Sequence, residues 1–377
     1  MKITFFLSQY GQGGVERMLI NTAHGLANRA HDVAYLTPGD GAFMSTLPAS
    51  VEHVPLPGKR GRHRAALVDH LTRTRPEFLI VGKDDDAATA LRAKRAAASP
   101  VKVVVRPGTT ISRRLAGRSA FKRWRVYRAL RLTYRQADGV VANSQGVRED
   151  ISRITGLSVG SIYLIRNPVI TPGFEEAARA RAVHPWFADG EPPVLLGAGG
   201  LRRQKDFPTL VHAFSLVRQQ QSVRLVILGR GHLERSLQQQ ARRLGVEADV
   251  LLPGFVENPY PWMQQAGVFV LSSLWEGSPN VLTEALALGI PVVATDCPSG
   301  PNEILQHGRY GRLTPPGNSE ALASAIIETL KSPLPAETLR KAAAEYTMER
   351  TAQGYEAMLR EILEPARRDW GKPEASE

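Results

Sequence analysis

The residues best suited to chemistry in this chain are two glutamates, Glu276 and Glu284, which are separated by seven residues. The turn residues Gly277-Ser-Pro279 follow the first glutamate, and the stretch from Asn280 then reads as a helix that runs back into a buried strand. A helix start carries unpaired backbone N–H groups and the positive end of a dipole, and both favour phosphate. The segment therefore predicts a nucleotide phosphate site with an acid on each side, the first near a sugar and the second near a ribose.

This segment resembles the donor site of glycosyltransferase family 4, the retaining nucleotide-sugar transferases of the GT-B fold. The resemblance covers most of the C-terminal half, in the order of the family, through residues 194–210, 224–231, 252–256, 295–305 and 308–313. It implies a retaining hexosyltransferase that uses a UDP-sugar or a GDP-sugar, with attack and departure on the same face of the sugar. A non-hydrolysing UDP-sugar epimerase shares the GT-B architecture and stays open as an alternative.

The resemblance implies that Glu276 contacts the transferred sugar as the catalytic residue, and that Glu284 binds the ribose hydroxyls. Whether Glu276 positions the sugar or attacks it covalently stays open. Negative charge grows on the leaving phosphate during transfer, so a cation beside the diphosphate is expected. Lys205 is the candidate for that cation because it lies in the segment that resembles the phosphate-binding loop, and the alternative is a solvated surface lysine.

One position departs from the pattern of the family, which usually has an arginine five residues before this lysine. The chain has Gly200 there, and Arg202 and Arg203 follow two and three residues later. Either arginine could reach the phosphates instead, or both could face solvent. A lost charge-assisted donor would cost about 1.5 to 3 kcal/mol at a desolvated phosphate.

Further donor contacts are implied at backbone groups near the diphosphate, the nucleoside and the base. Asn280 could equally be the N-cap of the helix that starts there. Gly229 follows an apolar run and would let the backbone approach a nucleoside closely. The positions concerned are Asn280, Val281, Leu282, Gly229, Phe255 and Val256.

The N-terminal half contributes a second glycine-rich turn, in which Gly13 and Gly14 follow the first apolar run and open a helix. The resemblance implies that these two glycines lie close to the donor, and it leaves Arg106 and Thr109 as acceptor-side candidates. The glycines lack the spacing of a dinucleotide fingerprint, which makes a dehydrogenase a weak alternative. Without Asp-x-Asp at a strand end or a His/Cys cluster, we expect no essential metal, and no other cofactor.

Alternating apolar runs and amphipathic stretches predict an α/β protein with two Rossmann-like domains. The resemblance adds that their parallel sheets face each other across a cleft, as in GT-B. We expect an N-terminal acceptor domain over residues 1–180, a nucleotide-sugar domain over 181–345, a C-terminal helix over 346–365 that crosses back to the first domain, and a polar tail over 366–377. The chain's 377 residues exceed what one core usually serves.

Charge is unevenly distributed between the halves of the chain. Residues 1–185 hold 29 Lys and Arg against 14 Asp and Glu, whereas the remainder holds 19 against 22. The segment 106–135 contains ten basic residues, no acid and four aromatic residues. It predicts either a solvated helix with one buried stripe, or contact with anionic lipid or a lipid-linked acceptor.

The expected partners are a nucleotide-sugar donor and a lipid-linked or glycan acceptor such as lipopolysaccharide. The opening residues read as a buried strand rather than a signal peptide, and the lone Cys297 suits a reducing compartment. We therefore expect a cytoplasmic protein, with the inner face of the plasma membrane as an alternative location. A nucleic-acid-binding protein would also explain the basic segment, but the chain carries no recognition motif of that class.

Overall fold

The computed structural model describes residues 1–9, 13–38, 44–57, 62–179 and 184–364. The chain forms two compact units, of which unit 1 contains Met1–Pro168 and Met348–Glu377 and unit 2 contains Val169–Thr347. The predicted boundary between residues 180 and 181, the last residue of the predicted 346–365 segment and the polar tail 366–377 lie outside the described residues.

Unit 1 is built on a seven-stranded parallel sheet in the order β3-β2-β1-β4-β5-β6-β7. Neighbouring strand residues point to opposite faces, so that Phe5 joins one apolar core and Phe6 the other. Both faces are therefore buried, as expected for a parallel sheet. The strands are β1 Lys2–Phe6, β2 Asp32–Thr37, β3 Val51–Pro55, β4 Phe78–Val81, β5 Lys102–Val105, β6 Gly139–Ala142 and β7 Tyr163–Leu164.

Among the described residues, the helices of unit 1 are α1 Gly14–Ala27, α2 His63–Thr74, α3 Asp84–Ala96, α4 Ile111–Arg114, α5 Ala120–Tyr134, α6 Gln145–Thr155 and α15 Met348–Leu363. Helix α15 comes from the end of the described chain, yet it packs on α1. A side chain at Gly25 of α1 would touch Ala352 and Met348 at 3.0 Å, so the two helices approach closely there. The predicted return of the C-terminal helix to the N-terminal domain is confirmed.

Unit 2 is built on a six-stranded parallel sheet in the order β10-β9-β8-β11-β12-β13. Its strands are β8 Val194–Ala198, β9 Arg224–Leu228, β10 Val250–Gly254, β11 Val268–Leu271, β12 Val292–Thr295 and β13 Arg312–Thr314. Its helices are α7 Phe174–Arg179, α8 Phe207–Arg218, α9 Glu234–Arg243, α10 Tyr260–Gln264, α11 Asn280–Ala287, α12 Pro301–Ile304, α13 Ser319–Lys331 and α14 Ala336–Ala343.

The strand order of each sheet reverses at one place, between β1 and β4 in unit 1 and between β8 and β11 in unit 2. Loops that leave the carboxyl ends of such strands diverge to opposite faces of the sheet, and ligands bind in the crevice between them. Each unit therefore has one topological position at which a small-molecule site is expected. Among the described helices, none has the length and apolar content needed to cross a bilayer.

Candidate functional site

The candidate site lies in unit 2, at the carboxyl ends of the neighbouring strands β8 and β11. The segment after β8 contains a short 3-10 turn, Arg203–Lys205, and the segment after β11 leads from Ser272 to the start of α11 at Asn280. Because the strand order reverses here, two segments that are about 70 residues apart in sequence come together at one edge of the sheet.

Lys205 and Glu276 meet at this edge in a buried ion pair. The Lys205 ammonium Nζ lies 2.6 Å from Glu276 Oε1, and the two side chains are only 12% and 8% exposed. At this burial each charge depends on the other, because leaving one of them unpaired would be costly. An ammonium has three N–H donors, so Lys205 can serve Glu276 and still offer donors to a second group.

Two further side chains hold the Glu276 carboxylate. The Ser273 hydroxyl donates to Oε1 at 2.7 Å, and the Gln204 amide donates to Oε2 at 3.3 Å and to the Trp275 carbonyl at 3.0 Å. Sequence reasoning missed Gln204 and Ser273. The available signal was their position, since one directly precedes Lys205 and the other follows β11.

Glycines allow the segments at this edge to pack backbone against backbone. Gly199, Gly229 and Gly254 end or follow β8, β9 and β10, and their φ angles are +149°, +136° and +86°. A side chain at Gly229 would place its Cβ 2.0 Å from the Gly199 carbonyl oxygen. Gly229 was predicted to make room for a nucleoside, and the structure gives it a packing role that already excludes a side chain.

Helix α11 begins immediately after the Gly277-Ser-Pro279 turn. The alternative that Asn280 is the N-cap is wrong, since Pro279 occupies the cap and Asn280 is the first helical residue. No acidic residue lies in the first turn, and the N-cap residue Pro279 makes no side-chain capping hydrogen bond. Leu282 donates its N–H to the Pro279 carbonyl at 3.1 Å, so its amide is engaged within the turn.

The second acid, Glu284, is fully buried in α11. A ribose could reach its carboxylate only after the covering groups move. Phe255 and Val256 are half-buried and follow β10, at the carboxyl edge of the same sheet. The structure thus brings Lys205 and Glu276 into direct contact, and it places the remaining predicted donor residues of unit 2 on segments or helix turns at that edge.

The two arginines before Lys205 are both exposed, and the structure distinguishes them through Gly200. A Cβ added at Gly200 would lie 3.0 Å from Nε of Arg202 and 3.4 Å from its Cζ. The Arg202 guanidinium therefore occupies the space that a side chain at position 200 would fill. A side chain at position 200 would therefore compete with Arg202 for the same space.

Cys297 lies near this charged pair. Burial raises the pKa of the Cys297 thiol to about 12, and the negative charge of Glu276 adds to that rise. The thiol is therefore protonated at neutral pH and a poor nucleophile. Cys297 therefore packs as a small apolar residue.

Two family models match the chain. Residues 12–171 match Glycosyltransferase Family 4, and residues 192–332 match Glycosyl transferases group 1. Between them, the two matches span most of both units. The chain is a glycosyltransferase like those of family 4. This confirms the family that the sequence resembles.

Curated relatives match the chain over part of their length. It is 32% identical over 212 residues to N-acetylgalactosamine-N,N'-diacetylbacillosaminyl-diphospho-undecaprenol 4-alpha-N-acetylgalactosaminyltransferase of Campylobacter jejuni, which covers 56% of this chain and 54% of that protein. It is 33% identical over 192 residues to Lipopolysaccharide 1,6-galactosyltransferase of Salmonella typhimurium, which covers 49% and 50%. The chain thus spans about half the length of these relatives.

Solved structures match this chain over nearly all of its length and of theirs. Anabaena HepE in complex with UDP and glucose has a TM-score of 0.77 at 22% identity, covering 96% of this chain and 99% of HepE. The apo form of the lipopolysaccharide outer core galactosyltransferase WaaB has a TM-score of 0.71 at 22% identity, covering 96% and 99%. These likenesses confirm the predicted GT-B fold with two Rossmann-like domains.

In unit 1, Gly13, which was predicted to lie close to the donor, stands beside a second ion pair. Gly13 is the N-cap of α1, and a side chain there would lie 2.9 Å from Oε2 of Glu16. Oε1 of Glu16 lies 2.7 Å from the Lys83 ammonium, which also donates to the Gln9 carbonyl at 2.7 Å. Gly14, the first residue of α1, is exposed.

The two acceptor-side candidates, Arg106 and Thr109, differ in their surroundings. Arg106 is buried in unit 1, where its guanidinium donates to Asn167 Oδ1. Burial raises the pKa of Tyr355 in α15, and the nearby charge of Arg106 opposes that rise. Arg106 therefore has a structural explanation within unit 1. Thr109 is half-buried, and its hydroxyl finds no hydrogen-bond partner among the described residues.

Proposed function

We propose that the protein is a retaining glycosyltransferase of the hexosyltransferase type, which transfers a sugar from a nucleotide diphosphate. A UDP-sugar is the favoured donor and a GDP-sugar the second choice, because HepE of the same fold binds UDP and glucose in its crystal structure. The acceptor is a lipid-linked glycan or polysaccharide of the bacterial cell surface.

One observation carries this proposal: Lys205 and Glu276 form a buried pair, and Glu276 stands four residues before Asn280, the first residue of α11. A cation, a carboxylate and the positive end of a helix dipole are the groups that an activated sugar needs at its reacting bond. The first turn of α11 holds no acid that would compete with a phosphate. The cation and the helix start suit the diphosphate, and the carboxylate suits the sugar.

The reaction breaks the bond between the anomeric carbon and the β-phosphate oxygen, and it forms a bond from the acceptor hydroxyl oxygen to that carbon. Negative charge then grows on the leaving diphosphate. Lys205 and the N–H groups at the start of α11 would stabilise that charge, while Arg202 would contact the phosphates from the end of β8. The proton of the acceptor hydroxyl leaves with the departing phosphate.

Glu276 acts in this proposal by orienting the sugar and by facing the positive charge that develops at the anomeric carbon. Its carboxylate already accepts from Lys205, Ser273 and Gln204, and a carboxylate with several donors is a weaker nucleophile. This arrangement favours positioning over a covalent intermediate. Attack and departure then occur on the same face, which retains the anomeric configuration.

The proposed acceptor and location follow from the relatives. One is named as acting on a diphospho-undecaprenol-linked sugar and another as a lipopolysaccharide galactosyltransferase. A lipid-linked acceptor of that kind would bring this protein to the inner face of the plasma membrane from the cytoplasm. The expectation that no metal or other cofactor is essential stays part of the proposal, and dialysis against EDTA before assay would test it.

The proposal is tested by donor binding and turnover with variants of the two acids. UDP-, GDP- and ADP-sugars are screened by thermal shift, and the sugar that stabilises the protein is then assayed with membrane extract as acceptor. Glu284→Gln keeps the shape of the buried side chain but removes its charge, and it should weaken nucleotide binding. Glu276→Gln should leave binding near wild type and lower transfer at least about a hundredfold.

The outcomes separate the rival functions. If no nucleotide-sugar raises the Tm at millimolar concentration, the protein is not a donor-binding enzyme. If a UDP-sugar is converted without any acceptor, the protein is an epimerase. If transfer is unchanged in both variants, the assigned roles of Glu276 and Glu284 are wrong.

A further inference from the structure

Helix α5 in unit 1 carries two apolar stripes rather than one. Leu130 and Tyr134 are buried in the core of unit 1, with Val126 and Tyr127 half-buried beside them. The Tyr134 hydroxyl also donates to Asp84 Oδ1 at 2.6 Å, which fixes the C-terminal end of the helix. These contacts give α5 a defined inner face.

The second stripe lies on the opposite side of the same helix and faces solvent. Phe121 is 67% exposed, Trp124 56% and Leu132 55%. At about 100° per residue, the three side chains fall within about 80° of one another and lie opposite Leu130. The rings of Phe121 and Trp124 stack with centroids 6.0 Å apart, so they form one continuous apolar surface.

Basic side chains surround this outer stripe. Lys122, Arg125 and Arg128 are exposed and form no ion pair with any other described residue. The Arg128 guanidinium lies over the Trp124 ring, 5.7 Å from its centroid. No acid occurs between residues 106 and 135. The charged residues of α5 near the apolar stripe are therefore all positive.

A solvated helix with one core-facing stripe does not account for this arrangement, because such a helix would present polar residues outward. Nucleic-acid binding would account for the positive charge. It would account neither for the outward Leu132 nor, without a base-reading element nearby, for the stacked rings of Phe121 and Trp124. Exposed aromatic and aliphatic side chains bordered by Lys and Arg are typical of surfaces that lie in a membrane interface.

We propose that the outer stripe of α5 docks unit 1 onto a bilayer that contains anionic phospholipid. Phe121, Trp124 and Leu132 enter the interface between headgroups and acyl chains, and the surrounding basic side chains contact the lipid phosphates. Each basic residue near an anionic surface contributes favourably, and the aromatic pair adds buried apolar area. The inference gives the proposed membrane location a defined surface on the chain.

This docking surface is independent of the donor site. It lies on unit 1, whereas Lys205 and Glu276 lie in unit 2. Lipid binding can therefore be measured without donor, and UDP binding without lipid. A failure of the docking proposal leaves the proposed transferase function standing, and a failure of donor binding leaves the docking proposal standing.

The test is co-sedimentation of the full chain with vesicles of phosphatidylcholine alone and of phosphatidylcholine mixed equally with phosphatidylglycerol. The wild-type chain should bind the mixed vesicles at moderate salt and bind the neutral ones at least about tenfold more weakly. Two variants on α5 are compared with it. Phe121→Ser with Trp124→Ser, and Lys122→Gln with Arg125→Gln and Arg128→Gln, should each lower binding to mixed vesicles at least about tenfold.

The matched control is Arg235→Gln with Arg243→Gln, two exposed arginines on α9 of unit 2, which should bind like the wild type. Unchanged Tm and UDP affinity in the α5 variants would show that they are folded. Equal binding by the wild type and the aromatic variant would overturn the proposal, as would loss of binding in the α9 control. Binding of duplex DNA in place of vesicles would overturn it in favour of a nucleic-acid partner.

Discussion

The two units place the same kind of ion pair at the same topological position. In unit 1, Lys83 pairs with Glu16 at 2.7 Å where the strand order reverses between β1 and β4. In unit 2, Lys205 pairs with Glu276 at 2.6 Å where it reverses between β8 and β11. A lysine and a glutamate at the carboxyl edge of a parallel sheet are therefore not enough to identify the donor site.

The difference lies in the relation of each acid to its helix. Glu16 is in the first turn of α1 and reaches back toward Gly13, the position of the acid in a capping box. The positive end of α1 thus already has an anion. Glu276 precedes α11, and the first turn of that helix holds no acid. We therefore propose that the start of α11, rather than that of α1, receives the phosphate.

The largest predicted difference between the two edges concerns their glycines. Gly229→Ala would combine a φ of +136° with a Cβ only 2.0 Å from a backbone oxygen, which cannot move aside like a side chain. We expect a loss of about 2 to 5 kcal/mol in the free energy of unfolding. Gly13→Ala has a φ of −107° and meets only the end of the Glu16 side chain. It should cost less than about 1 kcal/mol.

Urea unfolding followed by circular dichroism would measure both losses, with Gly160→Ala as a control because a Cβ there meets nothing within 4 Å. If Gly13→Ala proved as destabilising as Gly229→Ala, the two edges would be equally constrained. The contrast between a packed donor edge in unit 2 and a more tolerant edge in unit 1 would then be lost.

A smaller effect should separate the two arginines of unit 2. Arg202→Gln removes the guanidinium that fills the space over Gly200, and it should weaken UDP binding about tenfold. Arg203→Gln is the matched control and should change affinity less than about twofold. Isothermal titration with UDP measures both. A larger loss in the Arg203 variant would assign the phosphate contact to that residue instead.

Sequence alone was sufficient for most of the framework. Alternating apolar runs and amphipathic stretches predicted two Rossmann-like domains, and the C-terminal helix predicted over residues 346–365 corresponds to α15. Strands β3 and β13 lie at the edge of their sheets and carry charged residues, so neither is a continuous apolar run. An edge strand is paired on one side only, so its sequence needs no continuous apolar run.

The contacts at the site were less predictable. Sequence named Lys205 and Glu276 separately, but only the adjacency of β8 and β11 shows that they touch. Asn280 was considered as the N-cap of α11 because residues of that type favour the position, whereas the structure places Pro279 there. Arg106 follows β5 as an arginine of a ligand site would, yet its buried guanidinium donates to Asn167, 61 residues later. Such long-range partners have no local signal.

The most direct test of the central claim compares UDP with uridine in the two lysine variants. The claim is that the pair beside α11, and not the pair at α1, receives the diphosphate. Lys205→Met should lower UDP affinity at least about tenfold with uridine affinity unchanged, whereas Lys83→Met should leave both affinities within about twofold of wild type. Isothermal titration would contradict the account if Lys205→Met kept the preference for UDP over uridine, or if Lys83→Met abolished it.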